Sequence, residues 1–335
     1  MKSEKNKTYI IAELGVNHNG SLSLAKKMIY NAKTCGADAI KLQSYISSEI
    51  TSYKALTADY QSKKKLSQIE MLSKYELSTK QQVLLHRYCK KISIDFLSSA
   101  FDLKSLKFLK NLKLKYYKIP SGEITNVPLL EEYGKLKKKI LLSTGMSTIK
   151  EISEAISIMK KNGLNKKNLI IFHCTSSYPT KIEDANLNTL TQYRSKFKTL
   201  VGYSDHTTCV ETASVAVALG ARFIEKHVTL DKKMHGPDHK ASLNFREFKK
   251  MISLVRKTEK LQGSAIKIIT DSEKKNIRYV RKSIVASRNI KKGSYFGKLN
   301  LTTKRPGDGL SPFFLKQLYG KKAKKSFQLD DLISL

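Results

Sequence analysis

Eight short apolar runs, each followed by a helical stretch, constrain this chain more than any other feature. They are YIIAELG (9–15), AIKLQSY (39–45), DFLSSAF (95–101), YYKIPSGE (116–123), KILLSTG (139–145), LIIFHCTS (169–176), TLVGYSDH (199–206) and RFIEKHVT (222–229). Between them, stretches such as SLAKKMIYNAKTCG, TIKEISEAISIMKKNG and CVETASVAVALGA place apolar residues at helical spacing. Strands that alternate with helices pair in parallel, because each helix carries the chain back to the start of the next strand. Eight such units predict an α/β chain closed into a (β/α)8 TIM barrel, a fold of typically ~250 residues. An open doubly wound sheet would read similarly, but no GxGxxG follows the first strand.

Two places break the rhythm. Residues 46–78, polar and rich in Ser and Lys, insert after the second strand and read as a long loop at the barrel mouth. After NFREFKKMISLVRKTEKLQG, a polar segment leads into SIVASRNIKKGSYFGKLNLTTKRPGDGLSP, which has Gly-rich turns and no helical period. The predicted organisation is therefore a barrel over 1–263, a linker over 264–282 and a small domain over 283–335. A unit of about 50 residues buries too little surface to be stable alone and is expected to dock on the barrel or on a second subunit.

Composition excludes several classes. The net charge of +35 invites a nucleic-acid reading, but arginine supplies only nine of the 63 basic residues. The lysines are spread along the whole chain, and no RNP-like or zinc-finger pattern accompanies them. They read first as a lysine-biased solvated surface and second as an attraction for anionic small molecules, without specific nucleic-acid binding. Cys35, Cys89, Cys174 and Cys209 form no CxxC pair, so neither a disulfide framework nor a zinc ribbon is implied. The apolar run near the N-terminus is too short for a signal sequence, and no run approaches the roughly 20 residues of a membrane span. The expected location is cytoplasmic.

In a barrel, chemistry gathers where strands give way to the following loops. Here those ends carry Glu13, Lys41, Ser99, Lys118, Ser121, Glu123, Ser143, His173, Ser176, Ser204, His206 and His227. Packing does not explain an ionisable or hydroxylic residue at nearly every turn. Lys41 and Lys118 with the hydroxyls of Ser99, Ser121, Ser143 and Ser204 suit an anion, a phosphate best. His206 and His227 end consecutive strands, and two neutral imidazoles beside a carboxylate suit Mn, Fe or Zn with open positions. The adjacent Ser204, Asp205 and His206 do not form a hydrolase triad. Strand alternation puts Ser204 and His206 on one face and turns Asp205 to the other, where it braces neighbouring backbone.

With these residues placed, the chain resembles the sialic acid synthase family, the phosphoenolpyruvate-condensing synthases of nonulosonic acids. IAELGVNHNGSL, IKLQSY, YKIPSGEITN, LLSTGMS, HCTSSYPT, GYSDHT, EKHVTL and GPDHKASL carry the resemblance in the barrel. SIVASRNIKKG and KRPGDGLSP carry it in the small domain, which resembles the family's antifreeze-like (SAF) domain. The resemblance implies that phosphoenolpyruvate, an N-acetylmannosamine-type aldose and water give a nine-carbon 2-keto acid and phosphate by C–O cleavage. It implies that His206 and His227 hold a divalent metal, Mn(II) first and Mg(II) or Co(II) after it, and that Glu13 handles a proton or orients water. Lys41, Ser99, Lys118, Ser121, Ser143, Ser176 and Ser204 would hold phosphoenolpyruvate. Glu123, Tyr178 and Asp238 would contact the sugar. Arg305 would hold its N-acyl group, reaching over the mouth of the other subunit in a domain-swapped homodimer.

The chain departs from the family at three places, one of them the insertion after the second strand, which differs widely among members and to which no role is carried over. Ser99-Ala100 stands where Thr-Pro is frequent, which keeps the hydroxyl, and Ser176 stands where some members have Asn, which shortens a contact. The expected product is N-acetylneuraminate. The alternatives are legionaminic acid, from a 2,4-diacetamido-2,4,6-trideoxymannose, and then pseudaminic acid. Two other classes compete: a Schiff-base pyruvate aldolase using Lys41 or Lys118, and a nucleic-acid binder. Neighbouring anions would keep either lysine protonated, against the requirement of an aldolase nucleophile.

Overall fold

In the computed structural model, residues 7–56 and 67–334 are described. The chain divides into two compact units, Met1–Gly263 and Ser264–Leu335.

The first unit is a closed barrel. Its strands are β1 (Tyr9–Gly15), β2 (Ala39–Ser44), β3 (Asp95–Ala100), β4 (Tyr116–Ile119), β5 (Lys139–Ser143), β6 (Leu169–His173), β7 (Leu200–Asp205) and β8 (Phe223–Thr229). Each pairs in parallel with the next, and β8 pairs with β1 to close the ring. A two-residue strand, β9 (Leu243–Asn244), pairs in parallel beside the end of β8. Several of the apolar runs outlast their strands, so Ser121, Glu123, Ser176 and His206 sit just beyond the sheet.

Side-chain alternation sorts every strand into two faces. Ile10, Ala12, Ile40, Leu42, Phe96, Leu142, Ile171 and Ile224 point outward and join the helices in the main core. Ile11, Ala39, Leu97, Tyr116, Leu141, Ile170, Phe172 and Phe223 point inward and plug the lower lumen. Tyr9, Tyr116 and Phe223 pack in tilted to edge-on pairs with ring centres 5.2–5.5 Å apart at its base. Gly202 is required here, because a Cβ would stand 2.7 Å from the Phe172 ring. Above this apolar plug the inward positions turn polar, and the lumen opens as a pocket.

The enclosing helices begin where the sequence supplies caps. Thr148 and Glu151 form a capping box for Ile149–Lys161, and Asn244 with Glu247 does the same for Phe245–Gln262. Of the predicted mouth loop 46–78, residues 57–66 lie outside the described residues. The rest holds the helices Ser47–Ile50 and Gln68–Tyr75. No helix among the described residues is long and apolar enough to cross a membrane.

The second unit pairs β10 (Ser283–Ala286) antiparallel with β11 (Leu301–Lys304) over a small core that includes Ile284, Phe296, Leu318 and Phe327. The segment read as a linker differs from that expectation, since it contains the helix Asp271–Val280 and belongs to this unit. Thr270 caps that helix, Arg278 O accepts from Gly307 N (2.7 Å), and Arg278 Nε donates to Asp308 (2.8 Å).

Candidate active site

The C-terminal rim of the barrel encloses a cavity of about 500 Å³. Its depth comes from inward strand positions: Glu13, Lys41, Gln43, Ser99, Lys118, Ser143, Ser204, Glu225 and His227. Loop residues Ser121, Glu123, Ser176, Tyr178, His206 and Asp238 complete the wall. All the candidates read from the sequence except Arg305 and His173 therefore meet in one place. Arg305 belongs to the second unit, where its Nε donates to Val280 O (3.1 Å). His173 is a correction. Phe172 takes the inward position on β6, so alternation turns His173 away from this cavity, and its Nε2 bonds Ala185 O (2.8 Å).

Glu225 is the residue the sequence reading missed. Its carboxylate accepts from Lys118 Nζ (2.9 Å), Lys41 Nζ (3.1 Å) and Ser204 Oγ (2.7 Å). Burial, the largest single influence, opposes its ionisation, but Lys118 and Lys41 together outweigh it and hold its pKa well below the carboxylate range. Lys41 also lies 2.9 Å from Glu13 Oε2, although neither oxygen of Glu13 makes an aligned hydrogen bond. The floor is thus two lysines balanced by two carboxylates. An incoming dianion competes with Glu225 for both lysines. Burial lowers Lys41 to about 8 against the pull of Glu225, which leaves it still mostly protonated at neutral pH. Lys118 further lies 3.9 Å from the centre of the Phe172 ring, within cation–π range.

The two histidines stand with ring centres 5.6 Å apart. His206 Nδ1 donates to Thr175 O (2.6 Å), which fixes the tautomer and leaves the lone pair on Nε2, 3.4 Å from Ser204 Oγ. Burial pushes His206 down to about 4 and is also the first cause holding His227 well below its ordinary value. Both imidazoles are neutral. His227 Nδ1 is buried without a hydrogen-bond partner, 3.8 Å from Asp238 Oδ2. Gly15, at φ +50°, keeps this corner open. A Cβ there would approach Asp238 Oδ2 at 3.2 Å, His227 Cε1 at 3.2 Å and Glu13 Oε1 at 3.3 Å. Among the described residues no three His, Cys, Asp or Glu side chains form a ready-made metal cage. Two neutral imidazoles, with the Glu13 and Asp238 carboxylates at the same corner by Gly15, nonetheless fit a divalent cation whose remaining positions go to substrate and water.

Neighbouring networks hold these groups in place. Asp205, on the outer face of β7, is fully buried and pairs with Lys226 Nζ at 2.7 Å. Lys226 also donates to Thr207 O (2.5 Å), and Asp205 Oδ1 accepts from Thr207 N (2.9 Å), which clamps the chain beside His206. Asn17 Nδ2 donates to Val228 O (2.9 Å) and Ser242 Oγ (2.8 Å), while Ser242 Oγ donates to Asp238 O (2.6 Å). The NHNG and GPDHKAS motifs are thereby tied together behind Asp238.

The NeuB family model matches residues 28–267, and the SAF domain model matches residues 281–335. Over 330 residues, 98% of this chain and 99% of the relative, the chain is 49% identical to N,N'-diacetyllegionaminic acid synthase of Campylobacter jejuni. It is 40% identical to the protein of the same name from Legionella pneumophila, over 94% of this chain and 90% of the relative. Among solved structures, N-acetylneuraminic acid (sialic acid) synthetase from Leptospira borgpetersenii superposes with a TM-score of 0.74 at 35% identity. That match covers 81% of this chain and 90% of the other.

Proposed function

Since the chain belongs to the NeuB family and carries a SAF domain, we propose that it condenses phosphoenolpyruvate with a 2-acetamido aldose and water. The sugar we propose is 2,4-diacetamido-2,4,6-trideoxymannose, giving N,N'-diacetyllegionaminic acid and phosphate. N-Acetylneuraminate was the first expectation from sequence; 49% identity to a legionaminic acid synthase over nearly the whole chain moves the reading to the alternative. The observation that supports the chemistry best is the buried Lys41–Glu225–Lys118 floor beneath two neutral imidazoles.

In this reading Lys41 and Lys118 hold the carboxylate and phosphate of phosphoenolpyruvate, with hydroxyl donors from Ser99, Ser121, Ser143, Ser176 and Ser204. Glu123, Tyr178 and Asp238 orient the sugar so that its aldehyde carbon faces carbon 3 of phosphoenolpyruvate. A carbon–carbon bond forms there, water adds at carbon 2, and the tetrahedral adduct expels phosphate by C–O cleavage. Glu13, buried with an unpartnered oxygen, is suited to orient the water or take its proton. His206 and His227 would hold a divalent cation, Mn(II) foremost, and when bound it supplies Lewis acidity to the aldehyde. The active form is read as a homodimer in which the SAF domain of one subunit brings Arg305 to the sugar in the other.

A product assay decides the main point. Phosphoenolpyruvate is supplied with N-acetylmannosamine, the 2,4-diacetamido-6-deoxy analogue or the pseudaminic precursor. We expect the diacetamido sugar to give the highest kcat/KM, and phosphate release without any aldose would refute condensation. A chelator should abolish turnover and Mn(II) should restore it. The lowered pKa of Lys41 keeps one rival open to test: borohydride trapping of pyruvate on Lys41 would favour the aldolase.

A further inference from the structure

The helix Gln68–Tyr75 presents one face to the cavity. Gln68, Met71, Leu72 and Tyr75, spaced i, i+3, i+4 and i+7, all line it. The helix is pinned in this orientation: Tyr45 OH donates to Leu72 O (3.1 Å), and Ser47 donates to Glu76 through both N (2.9 Å) and Oγ (2.6 Å). Ala55 O accepts from Gln68 N at its start (3.1 Å). Met71 is only 8% exposed. Burial first, and the Asp238 carboxylate second, raise the Tyr75 pKa, so this face and Asp238 share one side of the mouth.

The cavity is therefore graded, with the buried lysine–carboxylate cluster at the floor and, at the rim, a helix face on which the apolar Met71 and Leu72 lie between Gln68 and Tyr75. The anionic reactant belongs with the lysines, and the aldehyde belongs beside the histidines. An aldose anchored at its aldehyde extends its far end toward the rim, where Met71 and Leu72 wait. Resting on the proposed condensation, we infer that Met71 and Leu72 form the specificity wall for carbon 6 of the sugar. They favour a 6-deoxy aldose, whose methyl packs on them, over one whose hydroxymethyl would lose water against the Met71 and Leu72 side chains.

The test compares N-acetylmannosamine with its 6-deoxy analogue, which differ by one oxygen, in the full-length enzyme at saturating phosphoenolpyruvate. The intact enzyme should prefer the deoxy sugar about tenfold in kcat/KM, the range for one such group in an apolar pocket. Met71→Gln and Leu72→Gln should each cut that preference to about twofold or less, while Met71→Leu should retain most of it. A purely structural role would lower both sugars in proportion and leave the ratio alone. An unchanged ratio in both Gln variants, or no preference in the intact enzyme, overturns the inference while the condensation stands. No turnover of any aldose by the intact enzyme overturns the condensation itself, and this inference with it.

Discussion

Glu225 shows how much a single buried residue organises this site. Three donors, Lys41, Lys118 and Ser204, converge on one carboxylate that is 4% exposed. Removing its charge leaves two buried ammonium groups short of a partner. We expect Glu225→Gln to destabilise the barrel by about 3–5 kcal/mol, the usual consequence of breaking a buried ion pair from one side. Urea unfolding would read this directly, and a loss below about 1 kcal/mol would mean that water or Glu13 takes over. Linkage gives the corresponding sign in pH. A carboxylate held below its unfolded pKa contributes stability above that value and loses it as the solution is acidified. Glu225 was legible in principle. It lies two residues before His227 on the same strand, so alternation puts both on one face. Strand-end positions alone do not reveal it, because a residue one step deeper in the lumen reaches the same pocket.

At the scale of the element, β7 and β8 do different work on their two faces. Inward, they carry Ser204, Glu225 and His227; outward, they carry the fully buried Asp205–Lys226 pair. That pair holds the backbone of Thr207 and hence the turn that presents His206. Lys226→Met should cost about 3–5 kcal/mol by stranding Asp205, and the double variant with Asp205→Leu should recover much of the loss. Chemical denaturation of the two single variants and the double variant measures the coupling, and strict additivity would contradict it. The alternation of Ser204, Asp205 and His206 followed from sequence, whereas the partner of Asp205 did not. Lys226 lies on the neighbouring strand, and the register Asp205↔Lys226 exists only once the sheet closes.

For the whole molecule, the prediction concerns the second unit. If Arg305 from one subunit serves the sugar site of another, Arg305→Ala should raise KM for the aldose about 10- to 100-fold, the loss of a charge-assisted hydrogen bond. KM for phosphoenolpyruvate should stay near its original value. Unchanged sugar kinetics would remove Arg305 from the site, and a monomer in sedimentation would remove the shared-site arrangement. The sequence by itself determined the eight strands, the parallel barrel and the residues at its mouth. Strand-and-helix alternation and two-residue periodicity are local properties that each segment carries alone. Only the tertiary structure decided which charges cancel, Glu225 against two lysines and Asp205 against Lys226, and that Met71 and Leu72 line the same cavity as that charged floor. Those pairings join residues far apart in the chain, and their energies depend on burial and distance, which exist only after the barrel has closed.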